Sequence, residues 1–286
     1  VPMNFPPKLK KLSIVSSLFM SSNPVFDSSI GPFPQIQELA ISSSGLIPAI
    51  QACPGLTALS IHCSRTSRQL DLNDVRAIFF GCPRLQTLEI RNVFSKQRVE
   101  LSEIGDAPCS KLLSKVLWNS WNAYNPANVL SMNCPNIVEL NIISPPVSPQ
   151  DVLSLSRLRN LEILCLNCGK GRRDIDGDYD GSAGEVKRNL ELSAAFTELG
   201  DHSGALFKKI ELVDSDFDAQ SFFESRRCSS LKELSFIRCN FSESAIFTLS
   251  RAVSNCLVSF NCDSNGTWFV PILVNCKYLE RLFLDV

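Results

Sequence analysis

The densest chemistry-bearing stretch of the chain is Gly169 to Glu185, where Asp174, Asp176, Asp178 and Asp180 alternate with other residues and Glu185 follows. Alternate carboxylates, a glycine at a sharp turn and a closing bidentate Glu are what a calcium loop must supply. Counting from Asp174 puts Glu185 at the twelfth position but Tyr179 where Gly is needed. Counting from Asp176 recovers Gly181 but puts Lys187 at the last ligand position. Neither register completes the loop, so no metal and no other cofactor is expected. Five of the chain's 13 glycines lie in this segment, which reads as a flexible loop. Ser182-x-x-Glu185 then forms a capping box for a helix over about 183–199, closing at Gly200.

The other candidates for chemistry are thiols and imidazoles. Cys165 and Cys168 form a Cys-x-x-Cys, but a redox thiolate needs a helix start and a zinc site needs a second such pair. With only His62 and His202 in the chain, few acid/base, triad or zinc schemes can be assembled. No Gly-x-Ser-x-Gly, His-Glu-x-x-His, phosphate-loop or dinucleotide fingerprint is present. The chain reads as a non-enzyme. The 12 cysteines could be a secreted disulfide framework or buried thiols of a reduced compartment, and their number alone does not choose. Two sequons, at Asn240 and Asn265, suit secretion but are short enough to arise by chance.

Lys+Arg total 28 against 29 Asp+Glu, and 44% of residues are apolar, so the chain can bury a core. No basic cluster is denser than Lys8-Leu9-Lys10-Lys11 or Arg172-Arg173. Neither nucleic acid nor an anionic membrane is therefore an expected partner. The longest uncharged apolar run, Trp268 to Val274, contains Pro271 and is far short of the roughly 20 residues that span a bilayer. The start, from Val1 to Pro7, lacks the features of a signal peptide. A soluble fragment, its own N-terminus missing, is the expectation.

The elements that position these residues follow from a repeat. Apolar-x-x-apolar-x-apolar recurs from Leu9, Ile36, Leu56, Leu85, Ile137, Leu161, Leu231 and Leu279, with weaker copies from Leu113, Phe207 and Leu257. The intervals are 27, 20, 29, 28, 24, 24, 46, 24, 26 and 22 residues. All but one match or approach the leucine-rich-repeat period, and the long one holds the insertion. Strand alternation turns the second and third apolar positions inward. Helix punctuation lies between strands: Ser148-Pro149-Gln150-Asp151, and starts near Asn125-Pro126, Asp218 and Ser242. Helical faces follow, as Val75, Ile78 and Phe79, or Ala245, Phe247, Leu249 and Val253. The expected fold is an α/β leucine-rich-repeat solenoid, a horseshoe of about eleven irregular repeats with parallel strands on the concave face and helices on the convex face. It forms a single domain over 1–286, with a Gly/Asp-rich insertion at about 169–184.

Cys53, Cys82, Cys134, Cys228 and Cys276 each stand three residues before a first strand anchor, and Pro follows the first three at once. Proline cannot continue a helix, so the helix ends there. Pro6, Phe33 and Leu158 fill the same slot elsewhere, so the slot wants a modest buried apolar group. Free thiols in a reduced compartment are expected.

Cys82-Pro83-Arg84-Leu85-x-x-Leu88-x-Ile90 resembles the cysteine-containing leucine-rich repeats of F-box/LRR proteins, and Cys134-Pro135-Asn136-Ile137-x-x-Leu140-x-Ile142 is similar. Cys239 and Asn265 occupy the place after the strand where that family often has Cys or Asn; most other repeats depart from this. The resemblance implies the substrate-recognition region of an SCF-type ubiquitin ligase in cytoplasm and/or nucleus. An adaptor would bind only through an F-box outside this chain.

A protein partner would meet the strand residues that face away from the core: Ser60, His62, Glu89, Arg91, Leu117, Asn119, Asn141, Ile143, Ile163, Cys165, Asn167, Glu211, Val213, Ser235 and Ile237. Apolar side chains mixed with Asn and single charges suit a protein epitope. Trp118 is a third anchor and reads as core; Trp121 and Tyr124 either cover a helix start or anchor an interface. The rival readings are a scaffold, adaptor or inhibitor protein unrelated to ubiquitination, an enzyme using the Asp-rich segment for a metal, and an extracellular ectodomain with its cysteines paired.

Overall fold

A leucine-rich strand needs a device that ends the preceding helix and starts the next ladder, and the cysteine slot is that device. The Cys53, Cys82, Cys134 and Cys276 amides donate to Ala49, Ile78, Leu130 and Ile272 carbonyls at 2.7–3.3 Å, closing the last helical turn. The carbonyls of Cys53, Cys82, Cys134, Cys228 and Cys276 then accept from the first anchor of each strand, from Leu56 to Leu279, at 3.1–3.4 Å. With both backbone groups used, the side chain points into the core, where a small apolar group fits. Phe33 and Leu158 are buried in the same slot, whereas Pro6 is exposed.

The computed structural model describes residues 6–14, 32–42, 46–62, 70, 72–94, 107–121, 126–144, 146–169, 183–202, 204–263 and 269–285. The chain falls into two compact units, residues 1–137 and 138–286. The first carries β1 (Lys11–Ile14), β2 (Glu38–Ser42), β3 (Ala58–His62), β4 (Thr87–Phe94) and β5 (Lys115–Trp121), all parallel and in sequence order. Leu12, Leu39, Leu59, Leu88 and Val116 share one inward row, and Ile14, Ile41, Ile61, Ile90 and Trp118 the next. Behind them pack α1 (Leu46–Ala52), α2 (Leu72–Gly81) and α3 (Ala127–Asn133). Trp118 is core as expected, and Val75, Ile78 and Phe79 of α2 are buried.

The second unit carries β6 (Glu139–Ser144), α4 (Pro149–Leu155), β7 (Ile163–Asn167), α5 (Ala183–Asp201), β8 (Lys209–Val213), α6 (Gln220–Glu224), β9 (Glu233–Ile237), α7 (Glu243–Ala252), β10 (Ser259–Asp263), α8 (Val270–Asn275) and β11 (Arg281–Asp285). Its strands are also parallel and in order, with Leu140, Leu164, Ile210, Leu234, Phe260 and Leu282 in register. Phenylalanines 196, 207, 217, 222, 223, 236, 241 and 260 fill the core, with ring centroids 4.5–6.1 Å apart in stacked, tilted and edge-on pairs.

The described part of the connection before β5 is a 3-10 turn, Pro108–Lys111. Two expectations need correction. On α7, Phe247 points away from the core and is half exposed beside Arg251, while Ile246 is buried. Ala245, Leu249 and Val253 recur every four residues, so a residue two along from Ala245 falls about 200° round the helix. Gly200 does not close α5, which continues to Asp201. A Cβ there would lie 2.6 Å from Ser225 Cβ, so the glycine serves close packing rather than helix termination.

The insertion helix α5 buries Leu192, Ala195, Phe196 and Leu199, one face at helical spacing. Arg188 near its start donates to the carbonyls of Cys168 and Gly169 at 2.9 and 2.8 Å, tying the helix to the end of β7. The Asp-rich segment and the Ser182 half of the expected capping box lie outside the described residues.

Candidate protein-binding face

Strand alternation leaves one set of side chains on the face opposite the helices, and the ladder register sorts them into rows. In the first unit Ser60 stands beside Ala40 and Glu89, and Glu89 beside Leu117. One row further, His62, Arg91 and Asn119 are neighbours. Ser60 Oγ donates to Glu89 Oε2 at 3.1 Å and lies 2.8 Å from His62 Nε2; Arg91 Nε donates to the other oxygen of Glu89. With its only proton on Glu89, the Ser60 hydroxyl accepts from His62. That is opposite to the transfer a nucleophilic serine needs, in which histidine takes the proton. The four side chains make a fixed polar wall.

In the second unit Asn141, Cys165, Glu211, Ser235, Asn261 and Phe283 form one row, and Asn167, Val213, Ile237 and Asp263 the next. Val213 and Ile237 are partly exposed side by side, and Ile143 is exposed. Glu211 pairs with Lys209 at 3.8 Å, and Glu233 with Arg281 at 2.9 Å. Just past β8 and β9, Asp214 and Arg238 take left-handed backbone angles, φ 54° and 51°. Their side chains close a two-point ion pair at 2.6 and 2.9 Å, rimming the apolar pair.

Two expected face residues are not open to a partner. Cys165 is on this face by register but only 4% exposed. Burial, with the Glu211 carboxylate beside it, pushes its thiol up to about 12. Ser235 is 6% exposed and hydrogen-bonded to Asn261 Nδ2 at 3.1 Å. Cys168 is buried just after the strand, and burial pushes it up to about 12 as well, so neither thiol of the Cys-x-x-Cys is a thiolate. The eleven described cysteines are all free and ten are buried. Trp121 closes β5; Tyr124 and Asn265 lie outside the described residues.

Sequence reasoning missed Ser13, Ala40, Ala58 and Thr87, which with Ser60 and Glu89 line a depression of about 390 Å³ on the first unit's face. It also missed Asn261, Asp263 and Phe283. All of them stand at the same offsets from their strand anchors as the residues chosen, so the repeat itself was the signal that could have found them.

Parallel strands in sequence order, most of them entered through the same turn and backed by helices or turns over a Leu/Ile/Phe/Cys core, define the α/β leucine-rich-repeat solenoid class. An LRR protein of Leptospira interrogans of known structure aligns with 93% of this chain and 81% of its own, at 14% identity and a TM-score of 0.42. No protein-family model matches the chain. No curated protein matches it. Among the described residues no helix is long and apolar enough to cross a membrane, and no three His, Cys, Asp or Glu side chains are grouped to hold a metal ion.

Proposed function

We propose that this chain is a protein-binding domain that holds its partner on the outer strand face, as the substrate-recognition region of an F-box/LRR component of an SCF-type ubiquitin ligase, in cytoplasm and/or nucleus. The observation that carries the ligase half is the Cys-Pro junction. Cys53, Cys82 and Cys134, each followed by proline, are buried thiols that end one helix and start the next strand. The repeat grammar shared with F-box/LRR proteins is thus a working structural joint, and its many free thiols suit a reduced compartment.

The binding half is supported by the face itself. Apolar Val213, Ile237 and Ile143 are mixed with paired charges and amides, the composition of a protein epitope rather than of a polyanion site. The test is co-purification of the natural full-length protein with a cullin-RING adaptor and a substrate. Val213→Arg with Ile237→Arg should release the substrate and keep the adaptor. Failure to retain any adaptor would remove the ligase role and leave a scaffold, adaptor or inhibitor protein.

A further inference from the structure

The depression on the first unit's face opens where the short side chains of Ser13, Ala40, Ala58 and Ser60 lie between the longer ones of Lys11, Glu38 and Glu89. Ala40 and Ala58 form its floor. One wall is the Lys11–Glu38 pair, 2.8 Å apart, and the other is Thr87 and Glu89. The space, about 390 Å³, is of the size that encloses a side chain with part of its backbone.

Next to the depression, one row along the strands, stand His62 and Arg91. The Arg91 side chain is 49% exposed and is held at Nε by Glu89, which leaves its two Nη nitrogens without a partner among the described residues. A guanidinium fixed at one edge presents the fork that meets a carboxylate with two hydrogen bonds, and little side-chain freedom remains to be lost. The row through His62, Arg91 and Asn119 contains no carboxylate. Over the described outer rows of this unit, three cations, Lys11, Arg91 and Lys115, face two carboxylates, Glu38 and Glu89. The second unit's rows are the reverse, with Lys209 and Arg281 against Glu139, Glu211, Glu233 and Asp263.

We infer that the first unit's face takes an extended segment of a partner protein that carries an apolar side chain and, two residues from it, an acidic one. The apolar side chain fills the depression over Ala40 and Ala58, and the carboxylate meets the Nη nitrogens of Arg91, beside His62. Same-side residues of an extended chain repeat at about 7 Å, the spacing of the rows along these strands, so a segment that runs one row along while crossing from β3 towards β4 meets both sites. The inference rests on the protein-binding reading of the same face and names the chemistry of the partner.

The experiment is selection of phage-displayed random peptides on the intact 286-residue chain. The expected result is enrichment of an apolar residue and Asp or Glu two positions apart. Binding of the selected peptides should weaken about tenfold with Ala58→Trp, which fills the depression, and with Arg91→Gln. Repeating the selection on Arg91→Glu should replace the acidic residue by Lys or Arg at the same spacing, a change that loss of folding cannot produce. No enrichment of the pattern, or peptides indifferent to both substitutions, overturns the inference. A natural partner lost only on Val213→Arg and Ile237→Arg overturns it while protein binding stands. Peptide recognition without adaptor binding removes the ligase role and leaves this site intact.

Discussion

The Arg227 guanidinium donates from Nη2 to the carbonyl of Leu161 at 3.0 Å, joining positions 66 residues apart across the insertion. Its Nη1 reaches the Leu199 carbonyl at 3.2 Å and its Nε the Ala205 carbonyl at 3.0 Å, while the group lies 4.2 Å over the Phe207 ring. The side chain is 2% exposed, and burial draws its pKa below the ordinary arginine value. Leu199 is in the last turn of α5, where the helix dipole favours a cation. One arginine thus supplies donors to three backbone acceptors that the long insertion leaves outside any ladder.

Replacing Arg227 with Met should keep the packing over Phe207 but strand three buried carbonyls, each costing about 1 kcal/mol or more. The expected loss of stability is roughly 3 kcal/mol, with Arg227→Lys recovering little because an ammonium cannot span the three acceptors. Urea denaturation of both variants measures it; a loss below about 1 kcal/mol for Arg227→Met would show that the carbonyls find other donors.

Gly55 follows the Cys53-Pro54 junction, and a Cβ there would stand 2.5 Å from the Pro34 carbonyl oxygen of the preceding repeat. Backbone cannot yield as a flexible side chain can. Gly55→Ala is expected to cost about 1–3 kcal/mol by overpacking. Thermal melting of the variant checks this, and an unchanged midpoint would mean that the two turns separate freely.

Burial pushes the Cys168 and Cys228 thiols from 9.0 up to about 12. Below pH 9 both the folded and unfolded chains keep these protons, so the contribution to stability is flat. Between pH 9 and 12 the unfolded chain releases protons that the native thiols retain, so stability falls as pH rises, by about 1.4 kcal/mol per pH unit for each thiol. Denaturation midpoints under reducing conditions should drop over that window, and Cys228→Ala should shrink the drop. Identical slopes for parent and variant would contradict the assignment.

Ser148 Oγ accepts from the Asp151 amide at 3.1 Å, while the Asp151 carboxylate accepts from the Ser148 amide at 2.9 Å. This reciprocal cap starts a helix of only seven residues, too short to persist by propensity alone. Ser148→Ala should cost about 1 kcal/mol. Hydrogen exchange should show faster opening at α4, with no change at α7, whose separate cap is Ser242.

The strand positions, the inward rows and the helix-ending cysteines were legible because each depends on neighbours within a few residues. The Cys-Pro-x-Leu grammar specifies a turn in which the backbone bonds of the cysteine close within one repeat. Phe247 was misplaced because the reading counted apolar residues without following their angle round the helix. Gly200 was misread because a glycine at a helix end and a glycine under a neighbouring side chain look alike until Ser225 is placed beside it. Cys165 falls on the outer face by register, but its shielding by Glu211 comes from a strand beyond the insertion, at no fixed separation along the chain.

The sequence by itself determined that there are strands at these places and which side chains leave the core, since alternation is a property of a single extended backbone. Tertiary structure decided which of those side chains a partner can reach. Reach depends on the sizes of side chains brought alongside from other repeats: alanines at 40 and 58 open a depression, whereas Glu211 covers a thiol. It likewise decided how the insertion is secured, because the carbonyls that Arg188 and Arg227 hold come together only when the whole repeat is folded.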